Sequence, residues 1–389
     1  MPVARGDAVA LARELVRVDS RNPSLVSGAA GELAVARALR DVLVSWGLDA
    51  ELIDAAPDRP NVVARAGGGS GRTLMFNGHL DVVGVDGMVH APFDAMERDG
   101  KIYGRGASDM KAGIAAMCAA AVRAVDAGVA GEIVIAAVVD EEFESIGTRS
   151  LVARGVRADA AIVTEPTRLA IMPAHLGFVW LDVTTHGRAA HGSRWDLGVD
   201  AIRHAGFVLA ELDRIDSSEL PGRRHALLGR PSVHASLIEG GSGMSTYPDR
   251  CTVRIERRTI PGESPSDVER EWRGVCARIA SREPRFRADV AVTFAQAPSD
   301  VSVDAPIVRA LGDTIRALGD EPRVEGMTAW TDAAILNEAG IPAICFGPGD
   351  IGVAHAAEEF VAVREIERAT EILASLAGRW TVASALTLG

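Results

Sequence analysis

The side chains able to do chemistry are a small set of imidazoles and carboxylates: His79 and Asp81, Asp109, the run Asp140-Glu141-Glu142, Glu165 and His355. Most of them stand just beyond a short apolar run. His79 and Asp81 follow residues 73–76, Asp140 to Glu142 follow 133–139, and Glu165 follows 160–163. Apolar runs without alternation read as strands covered on both faces, and open α/β sheets bind ligands at the carboxyl ends of their strands. Separate strands would thus deliver like-charged groups to one edge, where they repel and raise one another's pKa unless a cation sits among them. A metal centre with nitrogen and oxygen ligands is the chemistry this pattern predicts. Each residue alone has a plainer reading. Asp109, after Gly104, Gly106 and Ser108 and before a helix, reads as an N-cap. Glu141-Glu142 reads as a solvated pair, His79 as a hydrogen-bonded structural residue and His355 as a surface loop residue. Their joint placement at strand ends favours the metal.

The elements that must position these groups alternate between helix and strand. Leu11, Leu15 and Val18 mark one helix, and Leu33, Leu39, Leu43 and Trp46 a second that Gly47 ends. An Ala-rich helical stretch lies between the runs at 73–76 and 133–139. From about residue 176 the order becomes strand (177–185), helix (197–215), two strands (232–238 and 251–259), helix and strand (288–294). Ser264 caps the second of these helices, Pro265 suits its first position, and Val268, Trp272, Val275 and Ile279 form its apolar stripe. Helix and strand then alternate again to the last helix near 364–376. The expected fold is an α/β domain, residues 1–175 and 293–389. An inserted α+β domain of ferredoxin-like order (βαββαβ), residues 176–292, interrupts it.

The 389 residues carry 41 basic and 53 acidic side chains, a formal charge of −12. With no basic run to neutralise phosphates, a nucleic-acid partner is excluded. The N-terminal stretch lacks the apolar core of a secretory signal, and the longest Ala-rich run, 112–122, stops at Arg123 short of the roughly 20 residues of a membrane span. The four cysteines are scattered without a CxxC pair and read as reduced core thiols. No membrane partner is expected, and the expected compartment is the cytoplasm. His90, His204 and His225 read as ordinary surface residues.

Gly78-His79-Leu80-Asp81, Gly104 to Lys111, Asp140-Glu141-Glu142, Thr164-Glu165-Pro166, Gly187 to Ser193, Pro261-Gly262-Glu263 and Ala354-His355-Ala356 follow one another as in a single family. The chain resembles the acetylornithine deacetylase / succinyl-diaminopimelate desuccinylase / carboxypeptidase family of co-catalytic di-zinc amidohydrolases. The resemblance implies that this α/β domain is a zinc-peptidase-like catalytic domain with a mixed sheet between helices, and that it holds two Zn2+ ions bridged by Asp109, with His79 and Glu165 on one and Glu142 and His355 on the other. Co2+ or Mn2+ also suits such ligands. Two such ions about 3.5–4 Å apart activate water and polarise a carbonyl. The resemblance further implies that Glu141 is the general base, that Asp81 orients the His79 imidazole, and that the Asp109–Met110 peptide is cis. It assigns His191 to the oxyanion and Arg258 to a substrate carboxylate. Read plainly, His191 caps the following helix and Arg258 pairs with Glu256 or Asp249. Ser245 replaces an asparagine that many relatives carry, and Trp330-Thr331-Asp332 stands where desuccinylases have a small-residue loop. Both departures weaken transfer of any one substrate.

The expected activity is hydrolysis of the amide of an N-acyl amino acid, acetylornithine-deacetylase-like. A metallo-exopeptidase or dipeptidase acting on short peptides is the alternative, and a non-catalytic metal-binding module stands further off because Glu141 is present. The expected assembly is a homodimer through the inserted domain, whose edge strands carry unpaired N–H and C=O groups, with His191 reaching the partner's site.

Overall fold

The computed structural model describes residues 3–382. The chain divides into two compact units, one formed by Met1–Pro173, Val301–Glu325 and Thr331–Gly389, the other by Ala174–Asp300 with Gly326–Trp330.

The first unit is built on a mixed sheet. Its strands lie in the spatial order Asp49–Ala56, Arg59–Gly67, Glu132–Val138, Thr73–His79, Ala160–Val163 and Ala343–Cys345, and Met172 pairs antiparallel with Cys345 beyond them. The last four of the six run parallel, are almost wholly buried, and end at the same edge. Asp49–Ala56 and Arg59–Gly67 form an antiparallel pair that the apolar runs did not signal, because its outer strand is half-exposed throughout.

Helices cover this sheet. Ala8–Val16 starts on Asp7, whose carboxylate accepts the Ala10 N–H at 2.9 Å, and ends before Val18. Ala112–Asp126 is buried along nearly its whole circumference, which its small residues permit, and it packs against Ala8–Val16 and the long helix Val363–Val382. A separate three-stranded sheet joins Met96–Arg98, Lys101–Tyr103 and Phe360–Ala362.

The second unit has the order strand, helix, strand, strand, helix, strand. Its four strands, all antiparallel, lie in the spatial order Ser232–Gly240, Arg250–Thr259, Gly177–His186, Arg287–Gln296. Val179, Leu181 and Val183 alternate inward and meet Val268, Trp272, Val275 and Ile279 of the helix Pro265–Arg282 in one core. That helix begins with a capping box between Ser264 and Asp267. The other helix is Ala201–Arg214, which starts four residues later than its periodicity suggested because Asp200 caps it through the Arg203 N–H. The final strand continues past residue 292 to Gln296. His204 is a correction: it is 4% exposed and packs on Phe286 with ring centroids 5.4 Å apart.

Candidate metal centre

Parallel pairing decides which groups meet. His79 is the last residue of its strand and sits opposite Val138, so Asp140, Glu141 and Glu142 emerge beside it. Asn77 pairs with Val163, which brings Glu165 to the same edge. Asp109 arrives differently, in the turn before Ala112–Asp126, where its φ of −121° and ψ of 95° leave the helical region. The Asp109–Met110 peptide is cis. Gly113, one turn on, explains why this helix reaches the sheet: a Cβ there would stand 1.9 Å from the Thr164 carbonyl oxygen. Only glycine lets the helix start lie against the main chain just before Glu165.

The side chains converge. His79 Nε2 lies 3.0 Å from Asp109 Oδ1 and 3.9 Å from Glu141 Oε2. His355 Nε2 lies 3.0 Å from Glu142 Oε1 and 3.5 Å from Asp109 Oδ2. Asp109 thus turns one oxygen to each imidazole. Two sets of donor atoms, His79-Glu141-Glu165 and His79-Asp109-Glu142, lie mutually within 4.8 Å. Glu141 and Glu142 are far from solvated, with side chains 10% and 8% exposed. Nor is Asp109 an N-cap, since the helix after it has no side-chain cap.

Burial and crowding govern the charges. Burial, followed by repulsion from Glu165, Asp332 and Glu142, pushes the Glu141 carboxyl well up in spite of His79. Glu165 is raised well above its ordinary value by burial and by Asp109 and Glu142. Against its burial, hydrogen bonds from His355 and His79 hold Asp109 low. His79 is raised well above the ordinary imidazole value because Asp109, Glu141 and Glu165 outweigh its burial. His355 rises to about 10, its hydrogen bonds to Asp109 and Glu142 overcoming desolvation. Acids packed this closely repel one another and favour a cation among them. Imidazole and carboxylate donors fit zinc, cobalt or manganese.

Comparison with known proteins decides the family. A family model described as peptidase family M20/M25/M40 matches residues 75–379. The chain belongs to this family. It is 34% identical over 328 residues, 83% of this chain and 84% of the relative, to an acetylornithine deacetylase of Myxococcus xanthus. It is 26% identical to a probable succinyl-diaminopimelate desuccinylase of Staphylococcus epidermidis, over 91% of this chain and 93% of the relative. Among solved structures, a dinuclear metal-binding peptidase of the M20 family from Bacillus subtilis superposes with a TM-score of 0.74 at 18% identity, covering 96% of this chain and 97% of that one. The chain is therefore an M20-family metallo-hydrolase acting on amides.

Within this M20 chain some residues behave otherwise than the motifs suggested. His79 Nδ1 lies 2.9 Å from the Asp81 carbonyl oxygen, nearer than the 3.7 Å to its carboxylate. That carboxylate is engaged elsewhere, accepting the main-chain N–H groups of Glu141 and Glu142 at 3.1 Å each and Asn22 Nδ2 at 2.8 Å. Asp81 thus orients His79 with its main chain and the Glu141-Glu142 loop with its side chain. Asn22 also donates to Asp140 at 3.1 Å, and Arg59 pairs with Asp140 at 2.8 Å and with the buried Glu32. Neither Asn22 nor Arg59 was flagged by the sequence, since both lie far from any ligand in the chain. Asp332, noted only as part of a departure, is 1% exposed and accepts a 2.6 Å hydrogen bond from Thr148 Oγ1. Burial raises its carboxyl to about 6.

His191 and Arg258 lie in the second unit. His191 caps no helix; its Nδ1 accepts the Ser193 N–H at 3.3 Å, which puts the neutral ring's proton on Nε2. Arg258 donates Nε to Glu256 Oε1 at 2.6 Å and lies over the Phe178 ring at 5.2 Å.

Proposed function

We propose that this chain is a di-metal deacylase that hydrolyses the amide of an N-acyl amino acid, with acetylornithine-deacetylase-like specificity. The observation that carries the reading is Asp109, whose two oxygens each face an imidazole, with Glu141 buried alongside. In this reading Asp109 would serve both ions, with His79 and Glu165 holding one and Glu142 and His355 the other. Two divalent ions, zinc in the first place and cobalt or manganese as substitutes, supply Lewis acidity and a water of lowered pKa when bound. Three ligand carboxylates against two divalent ions leave about one positive charge for a substrate anion.

Glu141 takes the proton of the attacking water and returns it to the leaving nitrogen. Its carboxylate is kept out of solvent and lies 3.9 Å from His79 Nε2, beside the proposed ligands, where a general base for a water held there must stand. Asp81 holds the main chain under Glu141 and Glu142, which limits how far the base can swing. His191 donates Nε2–H to the oxyanion, and Arg258 exchanges Glu256 for the substrate carboxylate. The chain acts as a homodimer through the outer edge of the second unit, where Ser232–Gly240 leaves Leu237 and Ile238 more than half exposed, and each site receives His191 from the partner copy. Among the described residues no helix is long and apolar enough to cross a membrane. A cytoplasmic location is part of this reading.

Likeness to a solved peptidase keeps an exopeptidase or dipeptidase as the second reading. The same base would serve a peptide amide. The deciding experiment is hydrolysis of matched N-acetyl amino acids and dipeptides by protein reconstituted with zinc, cobalt or manganese. Turnover of N-acetyl substrates at ten or more times the kcat/KM of the dipeptides supports the deacylase, and the reverse order replaces it with the peptidase.

A further inference from the structure

The turn that carries Asp109 is held by a residue that no motif marked. Glu359, four residues after His355, is fully buried. Antiparallel pairing of Lys101–Tyr103 with Phe360–Ala362 sets Phe360 opposite Tyr103 and so brings Glu359 against the chain leaving that strand. Its Oε1 accepts the main-chain N–H of Ser108 at 3.0 Å and of Asp109 itself at 3.1 Å. Its Oε2 accepts Arg105 Nη1 at 2.6 Å. A second tie closes the other end of the same segment. Ser108 Oγ accepts the Asp350 N–H at 3.0 Å and donates to the Asp350 carbonyl at 3.1 Å. Gly349, at φ +93°, leaves room for it, since a Cβ there would stand 2.6 Å from Ser108 Oγ. Both ends of the segment bearing His355 are therefore fastened to the turn bearing Asp109.

We infer that Glu359 is a positioning residue that sets Asp109 through that residue's own N–H and locks it to His355, so that ligands on the two sides of the metal pair move as one block. A counter-ion for Arg105 would need only one carboxylate oxygen. The other oxygen is spent on two consecutive amides, one of them the ligand's own, and buried anions are retained only when their hydrogen bonds are completed in this way. Residues that orient ligands from behind typically change metal affinity or activity 10- to 100-fold when removed.

This inference rests on Asp109 being the shared ligand, and the experiment separates the two claims. Zinc and cobalt binding to metal-free protein is measured by competition with a chromogenic chelator for wild type, Asp109→Ala, Glu359→Gln and the double variant Glu359→Gln/Arg105→Gln. Unfolding of the metal-free forms and visible spectra of the cobalt forms are recorded alongside. The double variant removes the buried cation that Glu359→Gln leaves unpaired, so it provides a folded protein where the single change does not. The expected result is affinity lowered about 10- to 100-fold in both Glu359 variants, with displaced cobalt bands, even where the metal-free double variant melts like wild type. A folded Glu359 variant with wild-type affinity and cobalt spectrum overturns the positioning role while leaving the metal centre intact. If wild type does not hold two ions, or Asp109→Ala still holds both, the shared-ligand reading fails first and this inference falls with it.

Discussion

His79 Nε2 stands 3.0 Å from Asp109 Oδ1, while its Nδ1 lies 2.9 Å from the Asp81 carbonyl oxygen. A neutral ring that donates Nδ1–H to that carbonyl turns a lone pair toward Asp109, so two acceptors face each other. In the metal-free protein a second ring proton relieves this, which is why the imidazole holds its proton far above its ordinary range. The main-chain bond to Asp81 thus selects the tautomer that a metal ligand requires.

Glu141→Gln keeps the shape of the proposed base and removes its proton affinity. Metal content measured by atomic emission should match wild type, and kcat should fall by about 10² to 10⁴. Full turnover at full metal content would remove Glu141 from the chemistry.

Asp109→Ala takes away the residue that faces both His79 and His355. Isothermal titration with zinc should show the bound stoichiometry falling from two toward one or less, with residual sites at least tenfold weaker. Two tight ions in the variant would show that the remaining donors suffice without a shared carboxylate.

His355 gives a pH signature to the metal-free protein. Its pKa rises from 6.5 unfolded to about 10 folded, so between those values the native state binds the extra proton and stability falls as pH rises. The advantage of wild type over His355→Gln in denaturant unfolding should be full below about pH 6.5 and vanish on passing pH 10. Saturating zinc should abolish this dependence, because the metal-bound ring has no proton to lose. An advantage that grows with pH in the metal-free pair would contradict the ion pairs with Asp109 and Glu142.

Gly113→Ala probes how the Asp109 turn is seated. The new Cβ would meet the Thr164 carbonyl oxygen at 1.9 Å, and the helix start must retreat. Overpacking against main chain should cost about 3 kcal/mol in urea unfolding and weaken zinc binding, since Asp109 and Glu165 are pushed apart. A variant with wild-type stability would mean that this contact relaxes cheaply.

Mixing tests the dimer. An inactive His191→Ala chain combined with an inactive Glu141→Gln chain under subunit exchange should recover activity up to about a quarter of wild type, since half the dimers are mixed and each holds one intact site. No recovery from two stable dimers would place His191 in its own subunit's site or outside the chemistry. Wild type sedimenting as a monomer at micromolar concentration would end the dimer reading.

Residue type and local spacing settled much of this protein from the sequence. Short, unbroken, β-branched apolar runs at 133–139 and 160–163 announced buried strands because a strand covered on both faces tolerates them, and chemistry-bearing residues at their ends pointed to the candidate site. The capping box at Ser264 was legible for the same local reason. Tertiary structure decided which acid serves which partner. Asp81 and Glu359 both carry a carboxylate near a metal-ligand motif, yet one props the Glu141-Glu142 loop and the other reaches Ser108 and Asp109 across some 250 residues of chain. Several buried acids compete for a few donors, and the winner is set by angles and distances within about 3 Å, which arise only once strands and turns distant in the chain have packed.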